Sequence, residues 1–247
     1  MEDYNSSQYP MDEKREPVNA TLYRRLVGSL RYLVHTRPDI SYNIRVMSRY
    51  MQYPKHNHYA VVKHILKYVK GTTEHGLVYR KGGDGKLIGY SDSSYSNDRG
   101  DGRGTTRVAY YYLGNLITWT SQKQKTVALS SCEAEYIAAT AAACQGLWLR
   151  NLFSDLVGKK SQKVKLFIDN QSTIALIKNP IFHGRSKHID TKYHFIRMCV
   201  EREQIQVEHV SGDQQKDNVL TKAMPRIKFA KMRALIGAED MKKKGQP

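Results

Sequence analysis

The chain has 247 residues, with 40 Lys and Arg against 23 Asp and Glu, for a net charge of +17. Such a length suits one good-sized domain and a smaller one, and the basic surplus favours a polyanionic partner. No apolar run is long enough to span a membrane, and no cleavable signal follows Met1-Glu2-Asp3-Tyr4.

The three cysteines, Cys132, Cys144 and Cys199, lack the pairing of a disulfide scaffold or a zinc site. An intracellular protein, not a secreted one, is expected, with Cys144 as a small buried residue on a helix.

Residues 1–18 are polar and without periodicity and read as a flexible arm. Thr21 is a candidate cap for a first helix whose stripe is Leu22, Leu26, Leu30 and Leu33. Pro38 opens a second helix with Ile40, Ile44, Met47 and Met51 on its stripe, and Pro54 closes it. A third, 57–70, carries Val62, Ile65, Leu66 and Val69 and stops near Gly71. These predict a small helical bundle over 19–75.

From Gly76 the texture changes to strands: 77–80, 86–91, 107–113 and 116–120, with Lys81-Gly82-Gly83-Asp84-Gly85 as a turn. Asp92 falls where the second of these ends. A loop over 93–106 is rich in Gly, Asp, Asn and Ser, and Gly102-Arg103-Gly104 loosens it. Gly114-Asn115 marks a hairpin.

Ser130 or Ser131 can cap a long helix to about 156, with Glu133 and Glu135 in its first turn. Its expected buried side is Ile137, Ala141, Cys144, Trp148 and Leu152, with alanines at the centre permitting close approach to a sheet. A strand over 164–168 delivers Asp169, and a short helix covers 171–177. A helix over about 190–202, a strand over 205–210 and helices near 216–222 and 226–236 complete the chain. Several carboxylates at the ends of different elements are what hard divalent cations require.

The order of these elements resembles ribonuclease H, and more narrowly the ribonuclease H of copia-type LTR retrotransposons. The resemblance rests on Tyr90-Ser91-Asp92, Thr118-Trp119-Thr120-Ser121-Gln122-Lys123 and Ser130-Ser131-Cys132-Glu133-Ala134-Glu135-Tyr136. It continues with Asp169-Asn170-Gln171-Ser172, Lys187-His188-Ile189-Asp190 and Leu220-Thr221-Lys222. Upstream, Leu22-Tyr23-Arg24-Arg25-Leu26-Val27-Gly28 and Thr36-Arg37-Pro38-Asp39-Ile40 resemble the end of the matching reverse transcriptase, its thumb and connection.

The fold implied is α/β: a mixed five-stranded sheet with helices on both faces over 76–238, preceded by the bundle and followed by a basic tail, 239–247. The activity implied is hydrolysis of the RNA strand of RNA–DNA hybrids by two Mg²⁺ ions, with Mn²⁺ as a substitute, in a Pol-derived chain. Its site would comprise Asp92, Glu135, Asp169 and Asp217. Glu135 fits the family's Glu-apolar-x-Ala pattern, and Glu133 is expected to serve the helix N-terminus instead.

Asn170 and Gln171 are candidates for reading the hybrid groove, with capping by Asn170 as the alternative role. Lys123, Lys125, Arg185, Lys187 and Lys192 are candidates for gripping phosphates. His183, His188 and His194 do not share the spacing of a zinc site. The expected partners are nucleic acid and the rest of a Pol polyprotein, in a cytoplasmic particle or the nucleus, with no membrane.

The chain also departs from the family pattern. Counted back from Leu220, the late aspartate falls on Asn218, which leaves Asp217 as the nearest candidate. Ser94 stands where a second aspartate is usual, and Val108 where a glycine is common. Asp213, after Gly212, leaves no histidine shuttle, and His209 reads as structural. The alternative implied is a catalytically inactive, nucleic-acid-binding remnant. An integrase-like recombinase would need a later catalytic glutamate.

Overall fold

A computed structural model describes residues 18–95, 102–158, 162–179, 194–212, 214–216 and 226–242. The chain divides into two compact units, 1–78 with 222–247, and 79–221.

The first unit opens with α1 (Ala20–Leu33), capped by Asn19, whose side chain accepts the Leu22 N–H at 3.0 Å. The cap therefore precedes the expected Thr21; of the expected stripe Leu30 is buried and Leu26 and Leu33 are partly so, while Tyr23 and Val27 take the fully buried places. Leu22 is 41% exposed. Tyr23 can fill the core because its hydroxyl donates to the Met47 carbonyl at 2.9 Å, so no buried polar atom is wasted.

A 3₁₀ turn at Pro38–Ile40 leads into α2 (Ser41–Ser48), and α3 (His56–Lys70) ends at Gly71. Ile40, Ile44, Met47, Val62 and Ile65 join the α1 residues in one core. After it, β1 (His75–Leu77) is the strand expected at 77–80, placed two residues earlier. Arg80 cannot extend it, because its N–H and carbonyl are both bonded to the Asn115 side chain, at 2.7 and 2.9 Å.

The second unit is built on β2 (Leu87–Ser94), β3 (Thr105–Tyr112), β4 (Asn115–Lys123), α4 (Ser131–Val157), β5 (Val164–Ile168), α5 (Gln171–Lys178), α6 (Phe195–Glu201) and β6 (Ile205–His209). The strand order is β4-β3-β2-β5-β6. β2, β3 and β4 are antiparallel neighbours, whereas β5 runs parallel to both β2 and β6. This is the expected mixed five-stranded sheet.

The β3–β4 turn centres on Leu113 and Gly114, at φ 52° and 76°, one residue before the expected Gly114-Asn115. Two positive φ values suit the twist of a tight hairpin. Asn115 enters the strand and its amide donates back to the Leu113 carbonyl at 3.1 Å, holding a leucine in the left-handed region.

Leu87, Val108, Tyr110, Leu166, Ile168 and Val207 from the sheet form one core with α4, α5 and α6. The middle of α4 enters that core through small side chains: Ala139, Ala142 and Ala143 are fully buried. The expected buried side of α4 is corrected in part: Ile137 is buried as expected. Ala141 and Cys144 are exposed, and Trp148 is 58% exposed. Close approach to the sheet selects for small side chains at the centre of α4, while the larger Tyr136 and Leu149 are buried towards its two ends. The buried cysteine is Cys199, on α6.

The structure closes within the first unit. α7 (Arg226–Leu235) is followed by β7 (Ala238–Asp240), which pairs antiparallel with β1.

Candidate metal centre

Parallel pairing of β2 with β5 brings the C-terminal ends of both strands to one edge of the second unit, with Ser91 opposite Ile168. Asp92 follows Ser91, and Asp169 follows Ile168. β2 continues to Ser94, so Asp92 lies inside the strand rather than at its last residue.

α4 begins at the same edge. The Ser130 hydroxyl accepts the Glu133 N–H at 3.1 Å, and the Glu133 carboxylate accepts the Leu129 N–H at 2.7 Å. Glu133 thus closes the cap of its own helix, where backbone N–H groups favour an anion. Glu135 turns to the sheet instead, and its Oε1 accepts the Ser93 N–H at 2.8 Å.

Asp92, Glu135 and Asp169 consequently each offer a carboxylate oxygen within 4.8 Å of the other two. Asp92 and Glu135 are buried and Asp169 is half-buried. Three hard oxygen donors at that separation match a divalent cation such as Mg²⁺ or Mn²⁺. The hydroxyls of Ser91, Ser93 and Ser94 are buried beside them and find no hydrogen-bond partner among the described residues.

Several positioning residues were not anticipated from the sequence. Gln215 is wholly buried and donates to the Ser91 carbonyl at 2.8 Å. Gln124 donates to the Ala134 carbonyl at 2.9 Å, joining the end of β4 to the first turn of α4. Gly104 fits where a Cβ would lie 2.6 Å from the Ser94 carbonyl oxygen, so close packing, rather than a loosened loop, requires it. Arg107 on β3 is fully buried, and its Nη1 donates to Asp92 Oδ2 at 2.8 Å. The signal for it was present: a lone arginine inside the otherwise uncharged run Thr105–Tyr112.

Of the remaining candidates, Asn170 caps α5 by accepting the Thr173 N–H at 2.9 Å, and Gln171 is exposed at the first position of that helix. Lys123 and Lys125 are exposed at the end of β4. His209 closes β6 with its ring nitrogen 3.2 Å from the Asp169 carbonyl. His194 lies 3.1 Å from the Tyr136 hydroxyl, whose pKa burial pushes up to about 12. Lys216 lies over the Tyr111 ring, 4.7 Å from its centroid, and burial lowers its pKa. Asp217, Asn218, His183, Arg185, Lys187, His188 and Lys192 lie outside the described residues.

The chain is 40% identical over 216 residues to the retrovirus-related Pol polyprotein from transposon TNT 1-94 of Nicotiana tabacum, covering 87% of this chain and 16% of that polyprotein. It is 38% identical over 217 residues to the Pol polyprotein from transposon RE2 of Arabidopsis thaliana, covering 88% and 15%. The chain belongs to the Pol polyproteins of copia-type retrotransposons. It spans about a sixth of the length of these Pol relatives.

No family model matches the chain. Among solved structures, LC11-RNase H1 in complex with an RNA/DNA hybrid aligns at TM-score 0.34 and 19% identity, covering 53% of this Pol chain and 88% of that one. Among the described residues, no helix is long and apolar enough to cross a membrane.

Proposed function

We propose that this Pol segment is a ribonuclease H-type nuclease that hydrolyses the RNA strand of RNA–DNA hybrids with divalent metal. The observation that carries this reading is the convergence of Asp92, Glu135 and Asp169 within 4.8 Å, from three separate elements. Asp217 is the proposed fourth carboxylate. Residues 19–75 are proposed as the end of the adjoining reverse transcriptase, 76–238 as the nuclease and 239–247 as a basic tail, acting inside the cell within or beside the rest of Pol.

Phosphodiester hydrolysis needs an activated water and neutralisation of the phosphate and the leaving oxygen, which a bound pair of Mg²⁺ ions supplies. The chain's own residues prepare the place. Asp92, Glu135 and Asp169 would hold the metal. The Ser93 N–H fixes the direction of Glu135, and the Ser130 cap fixes the turn that carries it. Lys123, Lys125, Arg185, Lys187 and Lys192 are proposed to hold backbone phosphates without sequence preference. Asn170 and Gln171 are proposed to meet the hybrid groove, where the 2′-hydroxyl distinguishes RNA from DNA. Two metal ions would draw on the Asp92 carboxylate, to which the Arg107 guanidinium is already bonded.

A second reading is a binder that does not cleave. The Arg107 pair on Asp92 favours it, because a carboxylate already neutralised is a weaker metal ligand. Incubating the purified chain with a labelled hybrid and Mg²⁺ or Mn²⁺ tests both. Release of RNA fragments that EDTA abolishes supports the nuclease. Retention of intact hybrid by the chain in both metals selects the binder.

A further inference from the structure

We infer that Arg107 is the resident cation of the carboxylate cluster and limits the free chain to one divalent ion. This rests on the metal-dependent reading above and concerns how many ions the cluster accepts.

The pair is built into the sheet. Asp92 and Arg107 are direct partners across the antiparallel β2–β3 ladder, so their side chains rise from the same face. On the other side, Arg107 is paired with the short Ser121 of β4. The Arg107 side chain is 0% exposed and that of Asp92 is 6% exposed. A guanidinium cannot be neutralised by losing its proton at ordinary pH. It therefore remains a fixed positive charge 2.8 Å from Asp92 Oδ2.

A metal ion on Oδ2 would sit roughly 4 Å from that charge, given a carboxylate–metal bond of about 2 Å. Burial removes the water that would screen the repulsion. One carboxylate oxygen each from Asp92, Glu135 and Asp169 lies within 4.8 Å of the others, which makes one place for a cation. A second ion, bridged through Asp92, competes directly with Arg107.

Mn²⁺ titration followed by electron paramagnetic resonance on the full chain tests this, with Arg107→Met, Arg107→Gln and Arg107→Lys beside the unsubstituted protein and Asp169→Asn as control. The expected result is one ion in the unsubstituted chain and in Arg107→Lys. The two neutral variants should take a second ion, or bind the first at least tenfold more tightly. Mn²⁺ should also raise their melting temperature by more than that of the unsubstituted chain. Two ions in the unsubstituted protein overturn the inference even if every variant fails to fold. Equal number and affinity in folded neutral variants overturn it as well, while leaving the nuclease reading standing. No Mn²⁺ bound by the unsubstituted chain or any folded variant overturns both.

Discussion

The Ser93 backbone N–H donates to Glu135 Oε1 across 2.8 Å, tying the first turn of α4 to the end of β2. Glu133, two residues earlier, is directed to the Leu129 N–H at 2.7 Å. Two carboxylates in one helical turn are thereby separated into a site residue and a cap residue. Glu135→Gln and Asp169→Asn are expected to lower hybrid cleavage at least about a hundredfold, the scale of losing one electrostatic contact in a transition state. Hybrid binding should persist. Glu133→Gln should leave cleavage nearly unchanged and cost roughly 0.3–1 kcal/mol of stability, since it removes only the helix-terminal charge. Cleavage assays and thermal melts of the three variants check this; a reversed order of the two glutamates refutes the assignment.

Tyr110 is held between two glycines. Its hydroxyl donates to the Ala142 carbonyl at 2.7 Å, and a Cβ on Gly89 would lie 2.5 Å from its ring. A Cβ on Gly146 would collide with the same hydroxyl. Gly146→Ala raises helix propensity, yet it is expected to destabilise by about 1–3 kcal/mol because overpacking outweighs propensity. Urea denaturation of Gly146→Ala and Gly89→Ala measures the effect, and a gain in stability would show that α4 can shift away from the sheet.

Stability in the first unit should depend on pH through His75, on the β1 strand opposite Asp240. Burial lowers its pKa, and Arg233 lowers it further, with Asp240 opposing. The folded state therefore resists protonation that the unfolded state accepts near the ordinary histidine value of about 6.5. The contribution is complete above that value and is lost as pH falls from there through the depressed folded value. Melting temperature of the unsubstituted chain should decline over that range more steeply than that of His75→Gln. Identical slopes would remove His75 from the account.

The basic surplus should appear as salt dependence. With a net charge of +17, affinity for RNA–DNA hybrid should fall steeply between about 50 and 200 mM salt as phosphate contacts are screened. The same slope should be seen for Asp169→Asn, because the contacts concerned are not the site carboxylates. Fluorescence anisotropy across that range measures it; a flat profile would mean that the charge serves another purpose.

Legibility followed the range of the interactions involved. The Ser130 cap, the Asn170 cap and the stop at Gly71 depend on residues within four positions, and short-range patterns sufficed for them. The strand end before Asp169 and the helix start bearing Glu135 were likewise legible, because each carboxylate sits where its own element changes, whereas β2 runs two residues past Asp92 to Ser94. Asn115 misled the turn assignment because its partners are Arg80 and Leu113, one of them 35 residues away.

By itself, then, the sequence determined the charge, the order of the elements and which of them carry carboxylates, since these follow from composition and local periodicity. Only the tertiary structure decided the outward face of Cys144 and Trp148, the pairing of β1 with β7, and the Arg107 guanidinium against Asp92. Hydrophobicity could not identify the central α4 face, because proximity to the sheet there favours alanine, as at Ala139, Ala142 and Ala143. The Arg107 pair lies 15 residues apart in sequence, and cross-strand register alone makes it a contact.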